Sequence, residues 1–253
     1  MTDSSVVAEV EKVAFRAFPA DVEVAHGGWR LRYTRGARNR RVNSATTPPT
    51  RPADIDADLD AVEGFYRERS ADSIVRVLST SPPEIDEIAA HRGYQSEAVT
   101  LVMTAPVVPH PTPHATVTEA PASAWLEAKR TLSGMTDHEL IDWRRRLAGV
   151  TGAVGFASVA TKATAVSIGL GVVDDGWLGV FDVMTHPGHR RLRHASEVTA
   201  AILDWSGGHG ARAAYLQVTD VNEPALRLYD SFDFREAYRY WYRRYSPSGG
   251  SNR

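Results

Sequence analysis

No cysteine occurs among the 253 residues, which excludes disulfides, covalent thiol catalysis and thiolate metal sites. No apolar run is long enough to span a bilayer, so no membrane segment is expected. The start, Met1-Thr2-Asp3-Ser4, has neither a basic region nor an apolar core, so no signal peptide is expected, and the expected location is cytoplasmic. Neither sign of charge dominates. With 29 Lys and Arg against 31 Asp and Glu, the formal net charge of −2 argues against general nucleic-acid binding. His186, His189 and His194 are close together, but spacings of three and five across a strand-to-helix turn fit no common zinc motif, and no metal is expected. The length allows two domains or one large one.

What is present is concentrated between residues 180 and 244. Residues 179–185 have the length and β-branched content of a buried strand, ended by Pro187-Gly188. His189-Arg190-Arg191-Leu192-Arg193-His194-Ala195-Ser196 then leads into a helix whose apolar positions Val198, Ala201, Ile202 and Trp205 recur at helical spacing. First-turn N–H groups lack intrahelical partners and the helix dipole adds partial positive charge, so this junction suits a phosphate diester, with the arginines adding charge-assisted bonds. A solvated basic helix start is the plainer alternative. Gly207-Gly208 and Gly210 close the helix, residues 213–218 read as a second buried strand, and Thr219 to Glu223 break it. Pro224 suits a helix's first turn, Ala225, Leu228 and Tyr229 share one face, and Phe234 opens a last strand.

This order resembles the cofactor-binding half of the GCN5-related N-acetyltransferase (GNAT) family. The matching motifs are Pro187-x-His189-Arg190, then Arg190-x-x-x-x-Ala195 in the place of a glycine-rich pyrophosphate loop, then Asn222-x-x-Ala225-x-x-Leu228-Tyr229. Two glycines of the family pattern are replaced. Arg193 stands at the first loop glycine, where it either crowds the phosphates or swings out to add a cation; Asp233 stands in a Gly-Phe pair, where Asp tolerates left-handed backbone.

The resemblance implies acetyl-CoA as cofactor, a small-molecule primary amine as acceptor, and direct attack in a ternary complex. It implies that main-chain groups of Val183 and Thr185 hold the pantetheine arm, that the loop residues His189, Arg190, Arg191, Arg193, His194, Ala195 and Ser196 hold the pyrophosphate, and that Asn222 touches the pantetheine or fixes the adjoining loop. Tyr229 would be the acid protonating the departing thiolate; otherwise it is a half-buried aromatic closing its helix. Asp182 and His186 are the nearest candidates for a base, and strand alternation sends Asp182 opposite Phe181 and Val183. Asp182 could equally be a structural acid paired to an arginine. Asp137, His138 and Glu139 lie where the family grips the acceptor, and Trp177, Tyr238 and Trp241 could shape an apolar acceptor pocket. The alternative function is a catalytically weak GNAT-like acyl-CoA sensor or partner-binding module, with Arg193 blocking the cofactor.

The expected fold is mixed α/β (α+β): a GNAT fold with a mixed twisted sheet flanked by helices, preceded by a truncated GNAT-like domain. Residues 114–246 form the catalytic domain, with strands at 114–119, 154–160 and 165–173, a helix at 123–132 capped by Ser123, a helix at 137–147, and an Asp174-Asp175-Gly176 hairpin turn. Residues 106–113 read as an extended Pro-rich linker and 247–253 as a disordered tail. In 1–105, an amphipathic helix at 4–18 and a strand at 28–35 precede elements that overlie the catalytic half at one constant offset: 40–45 on 180–185, 54–67 on the helix from His194, 73–78 on 213–218, 84–90 on the helix of Tyr229, and Gly93-Tyr94 on Asp233-Phe234. This degenerate copy carries Asp54, Asp56 and Asp58 where a pyrophosphate would sit, so it is not expected to bind acetyl-CoA. The cluster from Arg35 to Arg41 reads as a solvated turn or an anion-binding surface. Exposed sheet edges allow a homodimer.

Overall fold

Turns and helix caps fix where this chain reverses, and a computed structural model describes residues 4–110 and 114–246. Two units result. The first comprises Ala20–Leu101 with the C-terminal stretch from Tyr238, the second Ser5–Pro19 with Val102–Ala237. These units differ from the linear boundaries in two places: the N-terminal helix belongs to the second unit and most of the last strand to the first. Residues 111–113 of the Pro-rich stretch and the tail 247–253 lie outside the described residues.

In the first unit, β1 (Val22–His26) and β2 (Trp29–Tyr33) form a hairpin whose turn, Gly27 and Gly28, has φ of +53° and +87°. The strand expected at 40–45 shrinks to β3 (Ala45–Thr46), because Asn39 Oδ1 accepts the N–H of Arg41 at 3.0 Å and tightens Arg40–Val42 into a 3-10 turn. Then follow α2 (Ile55–Arg67), β4 (Ser73–Leu78), α3 (Pro83–His91) and the start of β5 (Gln95–Pro106). The order β1-β2-β3-β4 is completed by β11 (Arg235–Tyr245), antiparallel to β4 from Tyr240↔Leu78 to Tyr245↔Ser73. Trp29, Leu59, Val62, Val75, Ile85 and Tyr94 are buried together beneath α2 and α3. At the α2 start, Asp54 Oδ1 accepts the N–H of Ala57 at 3.0 Å, and Asp56 and Asp58 add negative charge in the first turn, so an anion would meet like charge there.

The second unit begins with α1 (Ser4–Ala17). Arg16 pairs with Asp174 at 2.5 Å, Lys12 with Asp175 at 2.7 Å, and Phe18 meets the edge of Phe181 at 4.6 Å, which accounts for the helix joining this unit. After β6 (Ala115–Thr118) come α4 (Ser123–Ser133) and α5 (Asp137–Leu147). The cap of α4 is Ala122, with no side-chain bond, so Ser123 is the first helical residue and not the expected cap; α5 is held by a capping box between Thr136 and Glu139. β7 (Ala153–Thr161), β8 (Thr164–Asp174) and β9 (Trp177–Thr185) form an antiparallel meander, then α6 (His194–Gly208), β10 (Ala213–Thr219) and α7 (Glu223–Asp230) follow. The order is β10-β9-β8-β7-β6, with β10 parallel to β9.

Glycines on β7 and β8 admit α6 to the sheet. A Cβ at Gly169 would lie 2.5 Å from Val198 Cγ1, one at Gly171 2.8 Å from Ile202 Cγ2, and one at Gly155 2.9 Å from the Trp205 ring. Val198 and Ile202 are fully buried, worth roughly 1.5–3 kcal/mol each. On the opposite side, Trp125 of α4 donates Nε1–H to the Ala157 carbonyl at 3.0 Å and lies against Phe156. No helix among the described residues is long and apolar enough to cross a membrane.

The internal repeat is visible in hydrogen bonds. Tyr94 N–H donates to Ala89 O and Phe234 N–H to Tyr229 O, both at 3.1 Å and at equivalent places in the two halves, with Gly93 at φ +89° and Asp233 at φ +59°. Upstream the offset changes. Val75 pairs with Ala45, whereas its counterpart Tyr215 pairs with Gly179 and not with Thr185, the counterpart of Ala45.

Candidate active site

Strand β9 carries one residue too many for its partner. Ile168 pairs with Met184 and Leu170 with Phe181, so the extra residue forms a bulge, with Asp182 at φ +52°. The bulge breaks the simple alternation expected for Asp182 and swings its carboxylate to α4, where Lys129 Nζ lies 2.8 Å from Oδ1. The partner is thus a lysine and not the arginine considered for the structural role. The Lys129 side chain is 4% exposed. Its ammonium also sits 5.3 Å from the ring centroid of Trp143, which stacks on Trp125 at 5.7 Å. Among the described residues Asp182 Oδ2 is buried without a hydrogen-bond partner. Sequence reasoning missed Lys129; the available signal was a lysine one helical turn after Trp125, on the face α4 buries.

Beyond the bulge, β9 and β10 separate. Their parallel pairing ends at Val180↔Leu216, although β9 continues to Thr185 and β10 to Thr219. Val183 and Thr185 lie on this run, which β10 no longer pairs, while Thr185 stays in register with Ser167 of β8. Thr185 Oγ1 is held 2.8 Å from Ser167 Oγ, leaving the strand's backbone groups on the β10 side open to an extended ligand.

The loop after β9 leads to an uncapped helix start. His186 Nδ1 accepts the Gly188 N–H at 3.1 Å, closing the 3-10 turn Pro187–His189. Arg191 and Arg193 then adopt φ of +63° and +65°, a left-handed conformation costing a non-glycine residue roughly 1–2 kcal/mol. Arg193 is the N-cap of α6 and its side chain makes no capping bond. The first bond into the helix is Glu197 N–H to Arg193 O at 3.0 Å, and the amides of His194, Ala195 and Ser196 meet no acceptor among the described residues. Arg190, Arg191 and Arg193 are exposed and meet no carboxylate there. His189 is half-buried, its ring 6.3 Å from that of His194. His194 Nδ1 and Glu197 Oε2, 3.7 Å apart, are buried without a hydrogen bond. Where α2 fills its N-terminus with Asp54, α6 leaves its own open, ringed by cations.

Tyr229 lies on α7, whose cap is Asn222: its Oδ1 accepts the Ala225 N–H at 3.3 Å, which fits the loop-fixing role. The Tyr229 ring is 9% exposed and 5.9 Å from Phe234. Burial pushes its phenol up to about 12, so it holds its proton at neutral pH, and its hydroxyl makes no hydrogen bond among the described residues.

Other candidates are engaged structurally. Glu139 Oε2 accepts from Thr136 N–H at 2.8 Å, His138 Nε2 lies 3.4 Å from Asp142, and Asp137 lies 3.6 Å from Arg130. Trp177 Nε1 donates to Glu9, while Tyr238 and Trp241 fall in the first unit, where Trp241 donates to Asp86. Arg40 is not a free cation: it pairs with Glu97 at 2.6 Å over the Tyr242 ring. No group of three or more metal-ligating side chains occurs among the described residues.

A family model described as "Probable histone acetyltransferase Rv0428c C-terminal" matches residues 4–243. The chain belongs to this family. It is similar to the "Uncharacterized N-acetyltransferase YobR" of Bacillus subtilis (strain 168), 23% identical over 244 residues, covering 94% of this chain and 98% of that protein. Among solved structures, a GCN5-related N-acetyltransferase from Kribbella flavida superposes with a TM-score of 0.71 at 15% identity, covering 98% of this chain and 96% of that one. A tandem GNAT protein from the clavulanic acid biosynthesis pathway gives 0.67 at 13% identity over 96% and 89%. The family and its fold are therefore those of GNAT acyltransferases, and the likeness spans both units.

Proposed function

We propose that the second unit binds acetyl-CoA and acetylates a primary amine of a small molecule by direct attack in a ternary complex. The observation that carries this reading is the opening of β9 from β10 after Val180 and Leu216, with the uncapped, arginine-ringed start of α6 at its mouth. The residues fit the cofactor. Unpaired backbone at Val183 and Thr185 suits an amide-containing arm, and the amides of 194–196 with Arg190, Arg191 and Arg193 suit a pyrophosphate. The orphaned Nδ1 of His194 provides a further polar contact in the same first turn.

Acetyl-CoA, when bound, supplies a thioester whose carbonyl carbon takes the amine nitrogen as the C–S bond breaks. The acceptor must lose a proton, and Asp182 Oδ2, buried and without a donor among the described residues, is the atom available to take it. Tyr229, protonated and buried, gives its proton to the sulfur. Lys129, held 2.8 Å from the other oxygen of this carboxylate, keeps it in place.

The description of the family as a probable histone acetyltransferase favours a second reading, in which the amine is a lysine side chain of a protein. Free CoA released with tyramine, spermidine, aminoacyl amides and a lysine-containing histone-tail peptide separates the two. Small-molecule acceptors are expected to be consumed; turnover with the peptide alone would transfer the assignment. In the sensor alternative, acetyl-CoA binds without turnover, or Arg193 prevents binding. Saturating acetyl-CoA should raise the melting temperature by several degrees, since ligand at 100 times its dissociation constant adds roughly 2.7 kcal/mol. An unchanged melting temperature overturns the transferase reading.

A further inference from the structure

Lys129 is the one buried lysine of three in the chain, the others being Lys12 and Lys162, both exposed. It approaches the site from α4, outside the β9, α6 and α7 elements that hold the proposed cofactor residues. Its ammonium meets a single oxygen of Asp182, Oδ1 at 2.8 Å, while Oδ2 of the same carboxylate is buried with nothing bonded to it among the described residues. A buried carboxylate oxygen left bare is unfavourable, and it sits at the β9 bulge, where Asp182 has φ +52°, a conformation Asp tolerates better than most residues. A bare buried oxygen at a bulge, beside an Oδ1 held by an ammonium, describes a carboxylate kept in one orientation so that its second oxygen meets something else.

We propose that Lys129 is a positioning residue for amine acetylation: by fixing Oδ1 of Asp182 it aims Oδ2 at the incoming ammonium, with Trp143 confining the lysine from the other side. This rests on the acetyltransferase reading and adds to it a residue that reaches the acceptor only through Asp182. The pairing divides the carboxylate's work. Oδ1 is held by a donor that stays, and Oδ2 accepts an N–H of the amine and then its proton, so the proton is taken up at the oxygen that Lys129 leaves free. Removing Lys129 frees the carboxylate to rotate about its terminal torsion, which is broad and intrinsically soft.

The test is a double-mutant cycle with Lys129→Met, Asp182→Asn and both together, using acetyl-CoA with tyramine and spermidine as probes. Asp182→Asn should lower turnover about 100-fold, as loss of a proton acceptor does. Lys129→Met should lower it by roughly tenfold, and the double variant should match Asp182→Asn alone, since a residue acting through Asp182 has no effect once the carboxylate is gone. Calorimetric affinity for CoA should be the same in all four proteins, whereas tyramine binding to the CoA complex should weaken in both single variants. The double variant removes both charges, so its comparison with Asp182→Asn stays readable if Lys129→Met folds poorly, and a further loss there would overturn the positioning role. Additive losses of turnover, or unchanged tyramine binding in Lys129→Met, would overturn the positioning role. So would an acetyl group found on Lys129 by mass spectrometry after incubation with acetyl-CoA, which would make it an acceptor. If the wild type binds CoA but acetylates neither probe nor the histone-tail peptide, the transferase reading itself fails, and this proposal with it.

Discussion

At the scale of residues, the account turns on three side chains whose chemistry is set by where the backbone puts them. Tyr229 carries its proton far above neutrality because burial disfavours the phenolate. Its folded value of about 12 exceeds the ordinary value near 10, so its contribution to stability is complete below pH 10 and is lost as pH rises through 12. Tyr229→Phe should therefore reduce turnover about 100-fold while leaving CoA affinity intact, and wild-type turnover should show no loss between pH 7 and 10 assignable to this group. A pH–rate profile falling in that window in the wild type but not in Tyr229→Phe would remove Tyr229 as the acid. Arg193 is the opposite case, a residue strained by its position. Arg193→Gly should raise stability in urea unfolding by about 1 kcal/mol, since glycine adopts φ near +65° without penalty. Lower stability would mean the guanidinium makes a compensating contact. Asp182 shows where residue-level reading stops: period-two alternation is a property of regular strands, and a one-residue bulge resets it.

Elements were legible where periodicity and turn chemistry agreed. The α5 helix coincides with its expected limits, and β7 to β9, α6 and β10 appear within a residue or two, because Asp175-Gly176 and the helical spacing of Val198, Ala201 and Ile202 leave little choice. Residues 40–45 were misread because β-branched content is low there and the Asn39 side chain captures a backbone amide. The strand expected at 28–35 is trimmed to Trp29–Tyr33, because Gly28 belongs to the positive-φ turn of a hairpin whose first strand, Val22–His26, has no counterpart in the sequence reading. Packing between α6 and β8 rests on missing side chains. Gly169→Ala would put a methyl group 2.5 Å from Val198 and 2.8 Å from Ile202, and should destabilise the protein by about 1–3 kcal/mol, measured by chemical denaturation. A neutral substitution would show that α6 shifts freely, and the helix start could not then be a fixed phosphate site.

For the whole molecule, the sequence reading of a repeated half-fold is echoed by the paired bonds at Ala89 and Tyr229, but the units do not follow linear order. Nothing in local sequence tells an amphipathic helix which strands it will meet; α1 joins the second unit through Arg16, Lys12 and the adjoining Phe18, whose partners Asp174, Asp175 and Phe181 lie far along the chain. A fragment starting at residue 106 therefore lacks part of the second unit, including buried Val7, Val10 and Val13, and should melt well below the full chain. Equal melting temperatures would show α1 to be dispensable. The most direct measurement of the central claim is a crystal structure of the full chain grown with CoA. The account predicts the pyrophosphate on the amides between Arg190 and Ser196, and the pantetheine arm along Val183 and Thr185 in the gap between β9 and β10. CoA seated at the carboxylate-capped start of α2, or that gap closed by the Arg193 guanidinium with no ligand bound, would contradict it.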